Sequence, residues 1–100
     1  MVLSDLNTYR QIIGCLMKKP LLLTEFQDIQ AMDFDIKIPR YIFIIIYNMF
    51  KSGAMQLTPL EVDIEMENHE AAAVIYKSER GLDFLKESYD VSKLENFEYY

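Results

Sequence analysis

The segment Ile38–Met66, IPRYIFIIIYNMFKSGAMQLTPLEVDIEM, constrains the fold more than any other. It reads as a long, almost wholly apolar helix, a glycine stop, and a second helix opening on its own cap. A helix from Pro39 to Lys51 runs about 20 Å at 1.5 Å per residue, the width of a small domain. Apolar side chains on that scale need covering on more than one side, so the remaining elements are expected to pack around it. Projected at 100° per residue, Ile42, Phe43, Ile46, Met49 and Phe50 share one face, which is assigned to the core. Tyr41, Ile44 and Asn48 lie opposite, with Arg40, Tyr47 and Lys51 nearby. That second face is too apolar to be an ordinary wet surface. Burial under neighbouring helices is the favoured expectation; an interface is the alternative, with Tyr41, Ile44 and Asn48 as its candidate residues.

Gly53 suits the left-handed residue that ends such a helix. Beyond it, Thr58-Pro59-Leu60-Glu61 carries a helix-start signature: Thr as N-cap, Pro at the first helical position, and Glu three residues on to close a capping box. The residues that follow also alternate strictly, Leu60, Val62, Ile64 and Met66 against Glu61, Asp63, Glu65 and Glu67, which is the period of a strand. A lone strand has no partner in a chain patterned elsewhere as helix, so helix is the reading adopted.

Upstream, Ser4 or Asp5 can cap a helix to about Lys18, with Leu6, Tyr9, Ile13, Leu16 and Met17 on one side and Pro20 closing it. Gly14 inside it costs about 1 kcal/mol relative to Ala, which implies close approach by another helix, expected to be the central one. A second helix is expected over Leu21–Gln30, with Leu22, Phe26 and Ile29 inward, and Phe34 and Ile36 plug the core from the loop beyond. Downstream, Asn68 is expected to cap a helix to about Ser78, with Ala72, Val74, Ile75 and Tyr76 as its apolar content. Arg80-Gly81 makes a turn. Leu82–Tyr89 forms a short helix with Leu82, Leu85 and Tyr89 on one face. Ser92 caps a last segment, Lys93–Tyr100, bearing Leu94 and Phe97. The fold class expected is all-α: one domain over residues 1–100, a compact orthogonal bundle of about six short helices around a long central one. The chain stops without a capping signal, as expected of a domain cut from a longer protein.

Charge narrows the function. Residues 1–50 hold five acids and five bases, whereas residues 51–100 hold eleven acids and five bases, so the net charge of −6 lies wholly in the second half. Nucleic-acid binding is driven largely by Lys and Arg displacing counterions from phosphates, so a protein partner is favoured over DNA. The longest apolar run, Tyr41–Tyr47, falls far short of the roughly 20 residues of a membrane span. Cys15 is the single cysteine, excludes an internal disulfide, and reads as core; a reducing, cytoplasmic compartment fits. The chain has no phosphate-binding loop, no dinucleotide fingerprint and no paired Cys or His, so no cofactor is expected. His69, the single histidine, reads as a surface residue in a helix's first turn. The carboxylates of Glu61, Asp63, Glu65 and Glu67 invite a metal, but a helix spreads them around its axis, with only Asp63 and Glu67 on one side. A solvated face near a helix N-terminus accounts for them better.

Several local motifs, taken in order, resemble the N-terminal domain of DnaB-type replicative hexameric DNA helicases. Ile13-Gly14-Cys15-Leu16-Met17 followed by Lys19-Pro20-Leu21 is similar to that family's small-residue helix end and Pro-bearing turn. Asp33-Phe34, then Arg40-Tyr41-Ile42-Phe43 with Ile46, resembles its acidic-Phe loop and following helix. Gly53 to Thr58, with Val62 and Met66 beyond, matches the turn and capped helix that come next. Gly81-Leu82-Asp83-Phe84-Leu85 resembles a late Gly-Gly motif, and Asn96 with Tyr99 a late Asn–Tyr pair. Arg80 replaces the first glycine of the Gly-Gly pair, and Thr58 stands where the family commonly has Asp. The resemblance spans nearly the whole chain. It implies a helical, non-catalytic tier of the helicase ring that supports subunit pairing and docks primase or a loader, ahead of a helical hairpin, a linker and an ATPase motor. It also implies that this segment alone does not form the hexamer. The other readings are a freestanding adaptor or regulator of the phage type, the similar helicase-binding domain of a primase, and a small enzyme built around Asp63.

Overall fold

In the computed structural model, which describes residues 6–99 (side chains of 98 and 99 excepted), the chain is all-α. Six helices follow one another: α1 (Leu6–Lys18), α2 (Leu22–Glu25), α3 (Lys37–Lys51), α4 (Pro59–Met66), α5 (Glu70–Ser78) and α6 (Gly81–Val91). Short 3-10 turns occupy Ala31–Asp33 and Leu94–Tyr99. The proposed caps Ser4 and Asp5 of α1 lie outside the described residues.

The long central helix is α3, and its 15 residues nearly cross a body of 32 × 29 × 24 Å. It starts two residues earlier than its proline suggests. Pro39 is its third residue, where a missing N–H costs nothing because the first-turn N–H groups have no partner within the helix. No side chain caps this end. Its lead-in is fixed instead by Arg40 Nε donating to the Phe34 carbonyl at 2.9 Å, and by the Tyr9 hydroxyl donating to the Asp35 carboxylate. The other end closes as a Schellman motif: Ala54 N–H reaches the Met49 carbonyl, Gly53 N–H reaches the Phe50 carbonyl, and Gly53 takes φ +108°.

The Thr58 capping box forms as the residues specify. Glu61 N–H donates to Thr58 Oγ1, Thr58 N–H donates to Glu61 Oε1, and Pro59 sits at the first helical position. Residues 59–66 are therefore helix, and the period of two resolves into two i, i+4 pairs. Val62 and Met66 are buried, while Leu60 and Ile64 are exposed.

Four expectations are corrected. First, α2 ends at Glu25 instead of reaching Gln30: Phe26 leaves helical geometry at φ −124°, ψ 71°. Its ring, packed edge-on to Phe97 at 5.0 Å, and Ile29 still lie against the core. Second, the helix that crowds Gly14 is α6, not α3; a Cβ at Gly14 would stand 2.0 Å from the Ser88 carbonyl oxygen. Third, Asn68 does not cap α5. Its N–H and that of His69 still bond back to Glu65 and Met66, so both complete the end of α4 and His69 occupies the N-cap position. Fourth, Val74 points to solvent, and Ala73 and Tyr76 carry the burial of α5.

The pairing of α1 with α6 is the most extensive in the domain. It is sealed beyond α6 by Lys18 Nζ donating to the Ser92 carbonyl at 2.9 Å and by the Cys15 thiol donating to the Lys93 carbonyl at 3.5 Å. Phe84 and Ser88 of α6 are buried, whereas Leu82 and Tyr89 are only half-buried. Phe34 is buried and Ile36 half-buried against the core, as the loop reading expects; of the last segment's apolar pair, only Phe97 enters the core.

Candidate interaction surface

The second face of α3 is not covered. Ile44 is 38% exposed and Tyr47 41%, and Asn48 is exposed as well. Because α2 ends early, Gln27, Ile29 and Gln30 flank α3 without covering Ile44 and Tyr47. A furrow remains between them, formed by two depressions of about 310 and 400 Å³ that share Gln27, Ile29 and Tyr47. Ile29 and Ala31 form one wall; Phe43, Ile44, Tyr47 and Phe50 form the other. Among its described lining residues there is no carboxylate, and Lys51 supplies the charge. Its ammonium lies 5.3 Å from the centre of the Tyr47 ring, a cation–π contact that holds the cation at the furrow's end.

The furrow's aromatic wall is anchored deep in the domain. Tyr47 stacks on Phe43 (6.4 Å, 28°), Phe43 meets Phe34 (5.3 Å), and Phe34 meets Tyr9 on α1 (5.1 Å). Such pairs contribute beyond their buried area, on the order of 1 kcal/mol each. Tyr47 is thus a fixed edge.

The three residues singled out for an interface part company. Ile44 opens onto the furrow. Tyr41 is half-buried against the core. Asn48 faces the other way, beside Met49, Ser52, Ala54 and Glu65 in a shallow depression between α3 and α4. Sequence reading missed Ile29, Ala31 and Lys51 as furrow residues, because they become neighbours of Ile44 only once α2 stops at Glu25. It also missed the outward pair Leu60 and Ile64. Their spacing of four, with Val62 and Met66 taken as the inward pair, was the available signal.

The acidic residues of α4 do not converge. Glu61 is engaged in the capping box. Asp63 accepts from the Tyr76 hydroxyl at 2.7 Å, Glu67 pairs with Lys77 at 2.7 Å, and Glu65 accepts from Asn68 and lies 3.8 Å from His69 Nε2. Asp63 and Glu67 share a side, as expected, and use it to bind α4 to α5. No group of three metal-ligating side chains occurs among the described residues. Burial, followed by the hydrogen bond to Asp63, raises the Tyr76 hydroxyl pKa well above its ordinary value. Burial also pushes the Cys15 thiol up to about 11, so it stays protonated and unreactive at neutral pH.

A second cavity of about 330 Å³ lies between α1, α6 and the start of α3. Two ion pairs line it: Arg10 Nε sits 3.2 Å from Glu87 with its guanidinium over the Phe84 ring, and Arg80 lies 3.0 Å from Asp83. The Arg10 Nε–H is buried and not aligned for a hydrogen bond to that carboxylate, so the pair is held by charge rather than direction. No helix among the described residues is long and apolar enough to cross a membrane.

No protein-family model matches the chain, and no solved structure matches it. Over 101 aligned positions it is 25% identical to the SPbeta prophage-derived uncharacterized protein YorI of Bacillus subtilis strain 168. The alignment takes in 99% of this chain and 20% of that protein, so the chain spans about a fifth of the length of the relative it matches.

Proposed function

We propose that the chain is a non-catalytic interaction domain of a DnaB-type replicative DNA helicase, working in the cytoplasm to support subunit pairing in the ring and to dock a primase or helicase loader. The observation that carries this reading is the uncovered apolar face of the central helix, with its furrow along α2. A face of this kind, rigid and apolar with little charge, is the usual anchor of a protein–protein contact. The motifs behind the resemblance also have structural work of the expected kind. Gly14 admits a neighbouring helix, Phe34 is buried beneath Arg40's contact, Gly53 ends α3, and Val62, Met66 and Leu85 are core. The prophage relative carries the matching region as a fifth of its length, which fits a module attached to larger machinery. ATP hydrolysis and strand separation would belong to such a parent protein, and no cofactor is assigned to this domain.

Calorimetric titration of the domain with the purified primase and with the purified loader encoded by the same genome tests the reading. Saturable one-to-one binding to either supports it; no heat with both, at concentrations where the domain is folded, refutes it. The prophage designation of the relative keeps one other reading in view, a freestanding phage adaptor that binds host machinery. Binding to a host replication protein but not to the partners encoded beside the domain would favour that adaptor.

A further inference from the structure

We propose that the furrow between α2 and α3 receives the exposed Leu60–Ile64 edge of α4 from a second copy of this chain. The proposal rests on the subunit-pairing part of the reading above and names the two surfaces that would meet.

Three observations point to this occupant. Leu60 and Ile64 are 60% and 61% exposed, a turn apart on one side of α4, and no intramolecular partner explains two large aliphatic residues there. They form a short ridge, and the Ile29–Ala31 end of the furrow is a mainly apolar concavity with Ile44 and Tyr47, also about one turn apart, on its α3 wall. A row of side chains set into such a strip is how helices pack. Charge agrees with shape: the ridge is flanked by Glu61 and Glu65, while the furrow's described lining has Lys51 and no carboxylate. In a chain of net charge −6, a furrow whose described lining holds Lys51 and no carboxylate is a favourable place for an acidic helix edge of a like copy to approach. Each copy carries both halves, so a two-fold pair makes the contact twice.

Sedimentation equilibrium over the micromolar range tests it with variants at solvent-exposed positions. Wild-type chain is expected to show a monomer–dimer equilibrium. Ile44→Asp, which spoils the furrow, and Ile64→Asp, which spoils the ridge, are each expected to be monomeric with unchanged circular dichroism. Mixed in equal amounts, they should pair more strongly than either does alone but more weakly than wild type, because one of the two contacts then has an intact ridge and an intact furrow. Lys51→Glu should weaken wild-type pairing about tenfold. Ile44→Gln and Ile64→Gln repeat the test should either aspartate disturb the fold. Dimers that persist in both variants overturn this placement while leaving subunit pairing intact. Only one variant becoming monomeric, while the other dimerises like wild type, overturns it as well. Wild-type chain that is monomeric throughout overturns self-pairing and assigns the furrow to another protein, and the primase and loader titration then judges the domain's role independently.

Discussion

Replacing Gly14 by alanine sets two effects against each other, and the structure decides which wins. In an isolated helix the change gains about 1 kcal/mol from propensity. Here the new methyl would stand 2.0 Å from the Ser88 carbonyl oxygen and within 2.6 Å of the Ser92 side chain. It is about 1.4 Å short of ordinary contact with a backbone atom that cannot rotate away. The Ser88 carbonyl also accepts the N–H of Ser92 at the end of α6, so pushing it disturbs a helix terminus. Relief requires α1 and α6 to separate along the most extensive contact in the domain. Overpacking of that kind costs up to about 3 kcal/mol, leaving a net loss of about 2 kcal/mol. For a domain of this size that lowers Tm by roughly 8–16 °C. Urea denaturation with thermal melting measures it. A Gly14→Ala protein as stable as wild type, or more stable, would refute the close-packing argument and leave propensity as the ruling effect.

Two further predictions concern buried groups. Tyr76→Phe removes the hydroxyl that bonds Asp63 and should cost about 2 kcal/mol in chemical denaturation, as expected for a hydrogen bond to a charged acceptor; a loss below about 0.5 kcal/mol would show that water replaces it freely. Stability should also fall in alkali. The Cys15 thiol ionises near 9.0 in the unfolded chain but near 11 in the fold, so between those values the unfolded state sheds its proton and is favoured. Tyr9 and Tyr76, both raised above 10.0, act with the same sign at higher pH. Unfolding free energy measured across this window should decline by about 3 kcal/mol from the thiol alone; a flat profile would contradict its burial.

The features legible in the sequence were those fixed by residues a few positions apart. The Thr58–Glu61 box and the Gly53 stop are local hydrogen-bond patterns, and each forms where its residues place it. Periodicity located α3 and placed Ile42, Phe43 and Ile46 in the core, but it missed the buried Ile45, and Met49 and Phe50 are only half-buried. What it could not settle was coverage. Ile44 and Tyr47 remain exposed because covering them needs a neighbour, and α2, expected to be ten residues long, is a single turn. Nothing between Glu25 and Gln30 forbids a helix outright; Phe26 leaves the helical path where it packs on Phe97, a residue 71 positions away. Gly14 likewise announced a close helix without saying which. Its partner was decided by α6, whose buried Phe84 and Ser88 lie outside the apolar stripe assigned from Leu82, Leu85 and Tyr89. The interface candidates Tyr41, Ile44 and Asn48 shared a projected edge, yet walls contributed by other elements send Ile44 and Asn48 to different surfaces.

The α1–α6 contact also dictates an order of events during synthesis. α1 leaves the ribosome first, but the helix it fits begins only at Gly81. Closing so long a loop is slow, because its entropy is lost before the contact forms. Until then, α1 can hold only provisional company with α3, and the flat glycine face waits uncovered. A chain halted before Ser92 would lack the Ser92 carbonyl that Lys18 grips and the Lys93 carbonyl that the Cys15 thiol reaches. Such a product would leave its most extensive helix contact unsealed and open to chaperones and proteases, so this domain matures only when almost all of it has been made.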